Sequence, residues 1–167
     1  PHLIPIAELS CFGNMDEAVF QEVYDLHVRA GKRPVTVRRD IPGLVANRIL
    51  HAMAREVFHP IELGAASPED VDAALKFGPG FRAATTGILE AADMGGLDVW
   101  CACEDNLFAQ LDNSTRACAA LRDKVAQGKL GLKSGAGFFD YPEGERQAVK
   151  RAFEKRLLVQ LKASEAY

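Results

Sequence analysis

Short apolar runs open this chain, and long apolar stripes at helical spacing follow. Leu3-Ile4-Pro5-Ile6-Ala7-Glu8-Leu9 is an apolar run of strand length. From Met15 to Ala30, Val19, Val23, Leu26 and Ala30 recur at intervals of three and four, which predicts a helix. Gly31 stands where a helix C-terminal cap is expected. Pro34-Val35-Thr36-Val37 is β-branched and reads as a strand. Strand, helix and strand make one βαβ unit, and one unit cannot close a sheet alone. The spacing therefore predicts the last edge of a larger parallel sheet. Such an edge favours self-association.

From Gly43 onward the pattern is helical. The first long helix is predicted from about Leu44 to Leu63, with Val45, Ile49, Met53 and Val57 in one row and Ala46, Leu50, Ala54 and Phe58 beside it. Arg48, Arg55, His59 and Glu62 share the opposite face. An apolar arc this wide predicts burial over more than half the circumference. Pro60 should kink or weaken the helix end, and Gly64 follows it. Ser67-Pro68-Glu69-Asp70 is a helix start, with Ser as cap and Pro in the first position. That helix should end at Gly78-Pro79-Gly80. Further helices are predicted from Gly87 to Met94, Leu97 to Leu111 and Ser114 to Gln127. A glycine-rich segment runs from Gly128 to Tyr141. A last amphipathic helix starts near Glu143, with Val149, Phe153, Leu157 and Leu161 on one face. The fold class is mainly α, a β-α-β piece followed by an all-helical part.

One polar residue interrupts the first long stripe. Asn47 falls between Ala54 and Phe58 on the wheel, at the margin of the apolar arc. Leaving a buried amide unpaired costs about 1–3 kcal/mol. Asn47 therefore has a structural partner or faces a polar ligand. The composition narrows the setting. The chain has 167 residues and is 48% hydrophobic, enough for a real core. Its net charge of −3 leaves no nucleic-acid footprint. No stretch approaches the ~18 apolar residues of a membrane span, and none has a signal-peptide pattern. The cysteines Cys11, Cys101, Cys103 and Cys118 show no C-x-x-C spacing, so packed free thiols in a reducing cytoplasm are expected. His51 and His59 stand eight residues apart, unlike the i, i+4 pair that metal ligation prefers; no metal is expected. The chain begins at Pro1 and runs straight into strand-like sequence, so its start is expected to be a cut.

Three motifs carry a resemblance. They are Pro1-His2-Leu3-Ile4-Pro5-Ile6-Ala7-Glu8, then Asp40-Ile41-Pro42-Gly43-Leu44-Val45-Ala46-Asn47-Arg48, then Gly128-Lys129-Leu130-Gly131-Leu132-Lys133-Ser134-Gly135-Ala136-Gly137-Phe138-Phe139-Asp140-Tyr141. Ala66-Ser67-Pro68-Glu69-Asp70-Val71-Asp72 and Gly96-Leu97-Asp98 lie between them. In this order and spacing the chain resembles the 3-hydroxyacyl-CoA dehydrogenase family over residues 1 to about 142. The resemblance implies the tail of a Rossmann NAD-binding domain over 1–40 and a helical substrate-binding and dimerisation domain over 41–167. It implies NAD as cofactor, a homodimer, a cytoplasmic setting, and neither nucleic acid nor membrane as partner. The G-x-G-x-x-G fingerprint and the family's catalytic His are absent, and His2 lies downstream of that His position. By itself the chain is expected to be inactive.

The resemblance also assigns residues. Glu8 matches the carboxylate partner of the catalytic His. Oxidising a hydroxyl needs a base for its proton, and a paired carboxylate fixes the imidazole's tautomer. Without the resemblance, Glu8 reads as a solvated residue at a strand end. Asn47 matches an amide that contacts substrate near the reacting centre and stabilises developing charge. Otherwise it reads as a cap on the Pro-Gly break. Lys133 matches a lysine that reaches the cofactor; the plainer reading is an ordinary lysine on a surface turn. Arg82 departs from the family pattern and resembles the variant in hydroxy-acid relatives, where it could pair with a free carboxylate; otherwise it is exposed or bound at a helix carboxyl end. Three functions stay open. The first is part of an NAD-dependent enzyme oxidising the 3-hydroxyl of a short-chain acyl-CoA. The second is a hydroxy-acid dehydrogenase using Arg82. The third is an inert helical dimerisation module.

Overall fold

The computed structural model describes residues 3–13 and 15–167; His2 lies outside the described residues. The fold is mainly α, preceded by a small parallel βαβ piece. Strands β1 (Ile6–Ser10) and β2 (Arg33–Val37) pair in parallel, with Glu8 opposite Val35. Helix α1 (Glu17–Arg29) makes the crossover. Asp16 starts it, its carboxylate accepting the Ala18 N–H at 2.8 Å. Gly31 ends it at φ 74°, a conformation that glycine adopts without strain. Cys11, Phe20 and Val37, each 4% exposed, are the packed centre of this piece. Arg38 lies 5.7 Å over the Phe20 ring and forms two hydrogen bonds to Glu17 at 3.2 and 3.3 Å. The Glu17 carboxylate raises the Arg38 pKa.

The helical part follows as α2 (Ala46–Glu62), α3 (Pro68–Phe77), α4 (Pro79–Ala83), α5 (Ile88–Gly95), α6 (Leu97–Leu107), α7 (Ala119–Ala126) and α8 (Arg146–Ala163). The chain divides into two compact units. One holds residues 1–53 with 150–166, and the other holds 54–149 with Tyr167.

Two expectations need correction, and a third is met with an addition. The helix placed from Ser114 begins only at Ala119, because Ser114 is held in another conformation. Its N–H and its hydroxyl both donate to the Asp112 carboxylate, at 2.9 and 2.8 Å. Such side-chain turns compete with helix formation. The helix expected to end at Gly78-Pro79-Gly80 does end there: α3 closes at Phe77 with Gly78 as its cap, and α4 follows at once. There Pro79 takes the first helical position, and a Cβ on Gly78 or Gly80 would meet the carbonyl oxygens of Ala74 or Leu75 at 2.5 or 2.6 Å. Finally, α2 buries no residue, and Ile49 is 62% exposed. The wide apolar stripe exists, but Val45, Ile49, Leu50 and Met53 are exposed, while Ala54, Val57 and Phe58 are half-buried and Phe58 stacks on Phe138. Pro60 lies inside α2, two residues before its end. The missing N–H falls in the last turn, and Ala65 N–H still reaches the Pro60 carbonyl at 2.8 Å.

The polar face of α2 holds the 111–119 connection. Glu56 accepts the Asp112 N–H at 3.0 Å, and Glu62 accepts the Ala119 N–H at 2.8 Å. Arg55 donates to the Ser114 carbonyl at 3.4 Å. The Asp112 carboxyl is held below its ordinary range, first by the Ser114 N–H and then by the Ser114 hydroxyl, with His59 and Arg55 adding. A carboxyl with a depressed folded pKa contributes stability above its unfolded value, and loses it as pH falls through the folded value. Asp112→Asn is therefore expected to be less stable than the parent near neutral pH. The gap should close below about pH 4, the ordinary range for an aspartate. Urea unfolding across that range checks this; a gap that does not change with pH would assign the effect to shape rather than charge.

Candidate active site

The junction from strand to helix is built around a Pro-Gly turn. The Leu44 N–H donates to the Ile41 carbonyl at 2.9 Å, with Pro42 second and Gly43 third at φ 82°. That third position needs positive φ and so selects glycine. Leu44 follows at φ 50°, the described non-glycine residue in the left-handed region. The Val45 carbonyl accepts the first helical bond, from Ile49 N–H at 3.1 Å. Val45 and Ala46 thus present N–H groups that have no acceptor within the helix.

Glu8 supplies that acceptor. Its Oε1 takes the Val45 N–H at 2.7 Å and the Ala46 N–H at 3.0 Å. A carboxylate there also complements the positive end of the helix dipole. The middle of β1 therefore pins the start of α2. Asn47, the second residue of α2, is exposed, and its amide forms no hydrogen bond among the described residues. The Pro-Gly break is capped by Glu8, not by Asn47. Local sequence rules missed this cap because Val45 is no capping residue and Glu8 lies 37 positions upstream.

Lys133 and Arg82 belong to the unit of residues 54–149. Lys133 sits in a segment closed by bridges between Gly131 and Ala136 and between Ala136 and Asp140. Ser134 is its hub: the hydroxyl accepts the Leu130 N–H at 2.7 Å and lies 3.0 Å from the Ala136 carbonyl. A Cβ on Gly137 would come within 2.9 Å of the Gly131 Cα, so the close crossing requires glycine. Lys133 is exposed and has no carboxylate partner among the described residues. Arg82 lies in α4 and is exposed. Its carbonyl accepts the Thr85 and Thr86 N–H groups at 2.9 Å, while its guanidinium pairs with nothing among the described residues. His51 is exposed and His59 partly buried, and no group of three metal-ligating side chains occurs among the described residues.

A parallel βαβ piece that runs into a helical part is shared with solved dehydrogenase structures. A solved structure of 5-formyl-3-hydroxy-2-methylpyridine 4-carboxylic acid 5-dehydrogenase, an NAD+ dependent dismutase, matches with a TM-score of 0.92 at 32% identity, over 99% of this chain and 53% of that one. The (S)-3-hydroxybutyryl-CoA dehydrogenase of Ralstonia eutropha matches at 0.58 and 34% identity, over 84% of this chain and 48% of that one. The family model of the 3-hydroxyacyl-CoA dehydrogenase C-terminal domain matches residues 43–141, and the chain belongs to that family. It is 32% identical to the pyridine carboxylate dehydrogenase of Mesorhizobium japonicum, over 95% of this chain and 51% of the relative. It is 39% identical to a probable 3-hydroxybutyryl-CoA dehydrogenase of Bacillus subtilis, over 73% of this chain and 42% of the relative. The chain thus spans about half the length of these curated relatives.

The Glu8 cap is directly testable. Glu8→Ala should destabilise the chain by about 1–2 kcal/mol, the usual loss for a helix cap. Glu8→Gln keeps an acceptor oxygen and should lose less than half of that. Equal urea midpoints for Glu8→Ala and the parent would show that the contact contributes nothing.

Proposed function

We propose that this chain supplies the end of the nucleotide domain (1–40) and the substrate domain (41–167) of an NAD-dependent dehydrogenase whose substrate carries a free carboxylate. The observation that carries the carboxylate is Arg82, an exposed guanidinium of the short helix α4 without a partner among the described residues. A guanidinium fork matches a carboxylate bidentately. The match over 99% of the chain to a dehydrogenase named for a pyridine carboxylate supports the same reading. NAD would supply the hydride acceptor for oxidation at the carbinol carbon. The residues present fit it in part: Lys133 is a cation without an ion-pair partner among the described residues and suited to its phosphates, while this sequence holds no glycine-rich dinucleotide fingerprint.

Glu8 and Asn47 act together in this reading. With Oε1 engaged by the helix start, Glu8 has Oε2 left to orient an imidazole base. The Asn47 amide donates to the reacting oxygen, where charge develops. Acyl-CoA oxidation is the second reading, favoured by relatives named 3-hydroxybutyryl-CoA and 3-hydroxyadipyl-CoA dehydrogenase. A homodimer in the cytoplasm completes the proposal. Leu89, Met94 and Phe77, at 84, 80 and 78% exposed, offer apolar surface for a second copy.

In the full-length protein, Arg82→Ala should raise KM for a free hydroxy acid about tenfold or more, equivalent to about 1.4 kcal/mol. Its kcat should hold, and KM for a CoA thioester should not move. A variant that impairs the thioester and leaves the free acid unaffected would transfer the assignment to acyl-CoA. Asn47→Ala should lower kcat by about 10²–10³ for the true substrate, the usual loss of one charge-stabilising donor. NADH absorbance reads both.

A further inference from the structure

Consecutive residues at the entry to α2 stand in the left-handed region, Gly43 at φ 82° and Leu44 at φ 50°. Glycine adopts this region at little cost, whereas a Cβ there is driven against the following carbonyl oxygen. Leu44 is the one non-glycine residue in this region among the described residues. Such a conformation persists only where the surroundings over-determine it. Here they do. The Leu44 N–H closes the turn onto the Ile41 carbonyl at 2.9 Å. Directly after Leu44, the Val45 and Ala46 N–H groups donate to Glu8 Oε1 at 2.7 and 3.0 Å. From α2 the Arg48 guanidinium reaches back to donate to the Pro42 carbonyl at 3.3 Å.

These contacts tie the Leu44 backbone to Asn47. A Cβ on Gly43 would lie 3.5 Å from Arg48 Cγ and 3.7 Å from Asn47 Cβ, so the turn packs against the base of both side chains. The turn and the start of α2 are joined through the two backbone dihedrals of Leu44. A return of Leu44 to negative φ, which its own sterics favour, would rotate the turn off Asn47 and carry the Val45 and Ala46 N–H groups away from Glu8. Every residue in this arrangement belongs to the unit that holds residues 1–53. The half-buried Leu44 side chain offers a plainer account, a residue kept for packing alone. The two accounts predict opposite responses to substitution.

We propose that Leu44 is a positioning residue: its left-handed backbone, not its side chain, sets the Asn47 amide in register with Glu8. The proposal rests on the reading that Asn47 donates to the reacting oxygen, and it names what fixes that donor in place.

Substitutions in the full-length protein separate backbone from side chain. Asparagine keeps the left-handed conformation and discards the apolar side chain, whereas valine stays apolar and resists the conformation. Amide exchange reads the geometry without reference to activity. The Val45 and Ala46 N–H groups should stay protected in Leu44→Asn and exchange at least about tenfold faster in Leu44→Val. Activity is read by NADH absorbance with 3-hydroxybutyrate or 3-hydroxybutyryl-CoA, whichever the parent oxidises. Leu44→Asn should hold kcat within about threefold, and Leu44→Val should lower it at least about tenfold, part of what loss of one charge-stabilising donor costs. KM for NAD should move in neither. On an Asn47→Ala background, Leu44→Val should lower kcat by less than about twofold, because the group it displaces is already gone. Parent-like exchange in Leu44→Val, a loss of kcat of about tenfold in Leu44→Asn, or full additivity with Asn47→Ala would overturn the proposal. Should Leu44→Val not fold, Leu44→Asn decides: exposed N–H groups there sink the proposal, and protected ones support it. Asn47→Ala with parent kcat would instead sink the reading of Asn47 as donor, and the exchange result still decides Leu44.

Discussion

The contact on which the rest of the candidate site depends is one carboxylate oxygen at a helix start. Glu8 Oε1 takes two N–H groups that the helix cannot satisfy itself. Those groups arise because the Pro42-Gly43 turn and the left-handed Leu44 bring the chain sharply into α2. Without an acceptor, the first turn of α2 would hold Asn47 only loosely. With it, a residue in the parallel sheet fixes where the amide stands.

The same device recurs. Glu62 of α2 accepts the first N–H of α7, and Glu56 accepts the N–H of Asp112 in the connection before it. In each case the helix start lacks a capping residue of its own: Val45 precedes α2 and Cys118 precedes α7. By contrast, α1 and α3 begin at Asp16 and Ser67, which cap locally. Ser67 and Asp70 bond reciprocally, side chain to backbone and side chain to side chain. Local caps are readable in sequence; a remote carboxylate is not, because nothing near the helix start announces it. This is why the start at Ser67 was legible and the start at Ala119 was not.

Apolar surface shows a second limit. Periodicity placed the stripe of α2 correctly, and the same holds for α8, where Val149, Leu157 and Leu161 are partly buried but Phe153 is 53% exposed. Periodicity states which residues want to leave water. It does not state whether this chain holds the layer that covers them. Val45, Ile49, Leu50 and Met53 of α2 and the exposed side chains of α3 and α5 are surfaces of that kind.

The sequence by itself determined the fold class, the βαβ start, the locally capped helices, the glycine-rich segment and the family, because each rests on short-range spacing or on motifs in order. It also singled out Asn47 by its chemistry and Arg82 by its departure from the family pattern. Only the tertiary structure decided that Glu8 rather than Asn47 caps α2, and that Leu44 is held in the left-handed region. These are meetings of residues distant along the chain or turned by loop closure. Their energies come from geometry that no local pattern encodes.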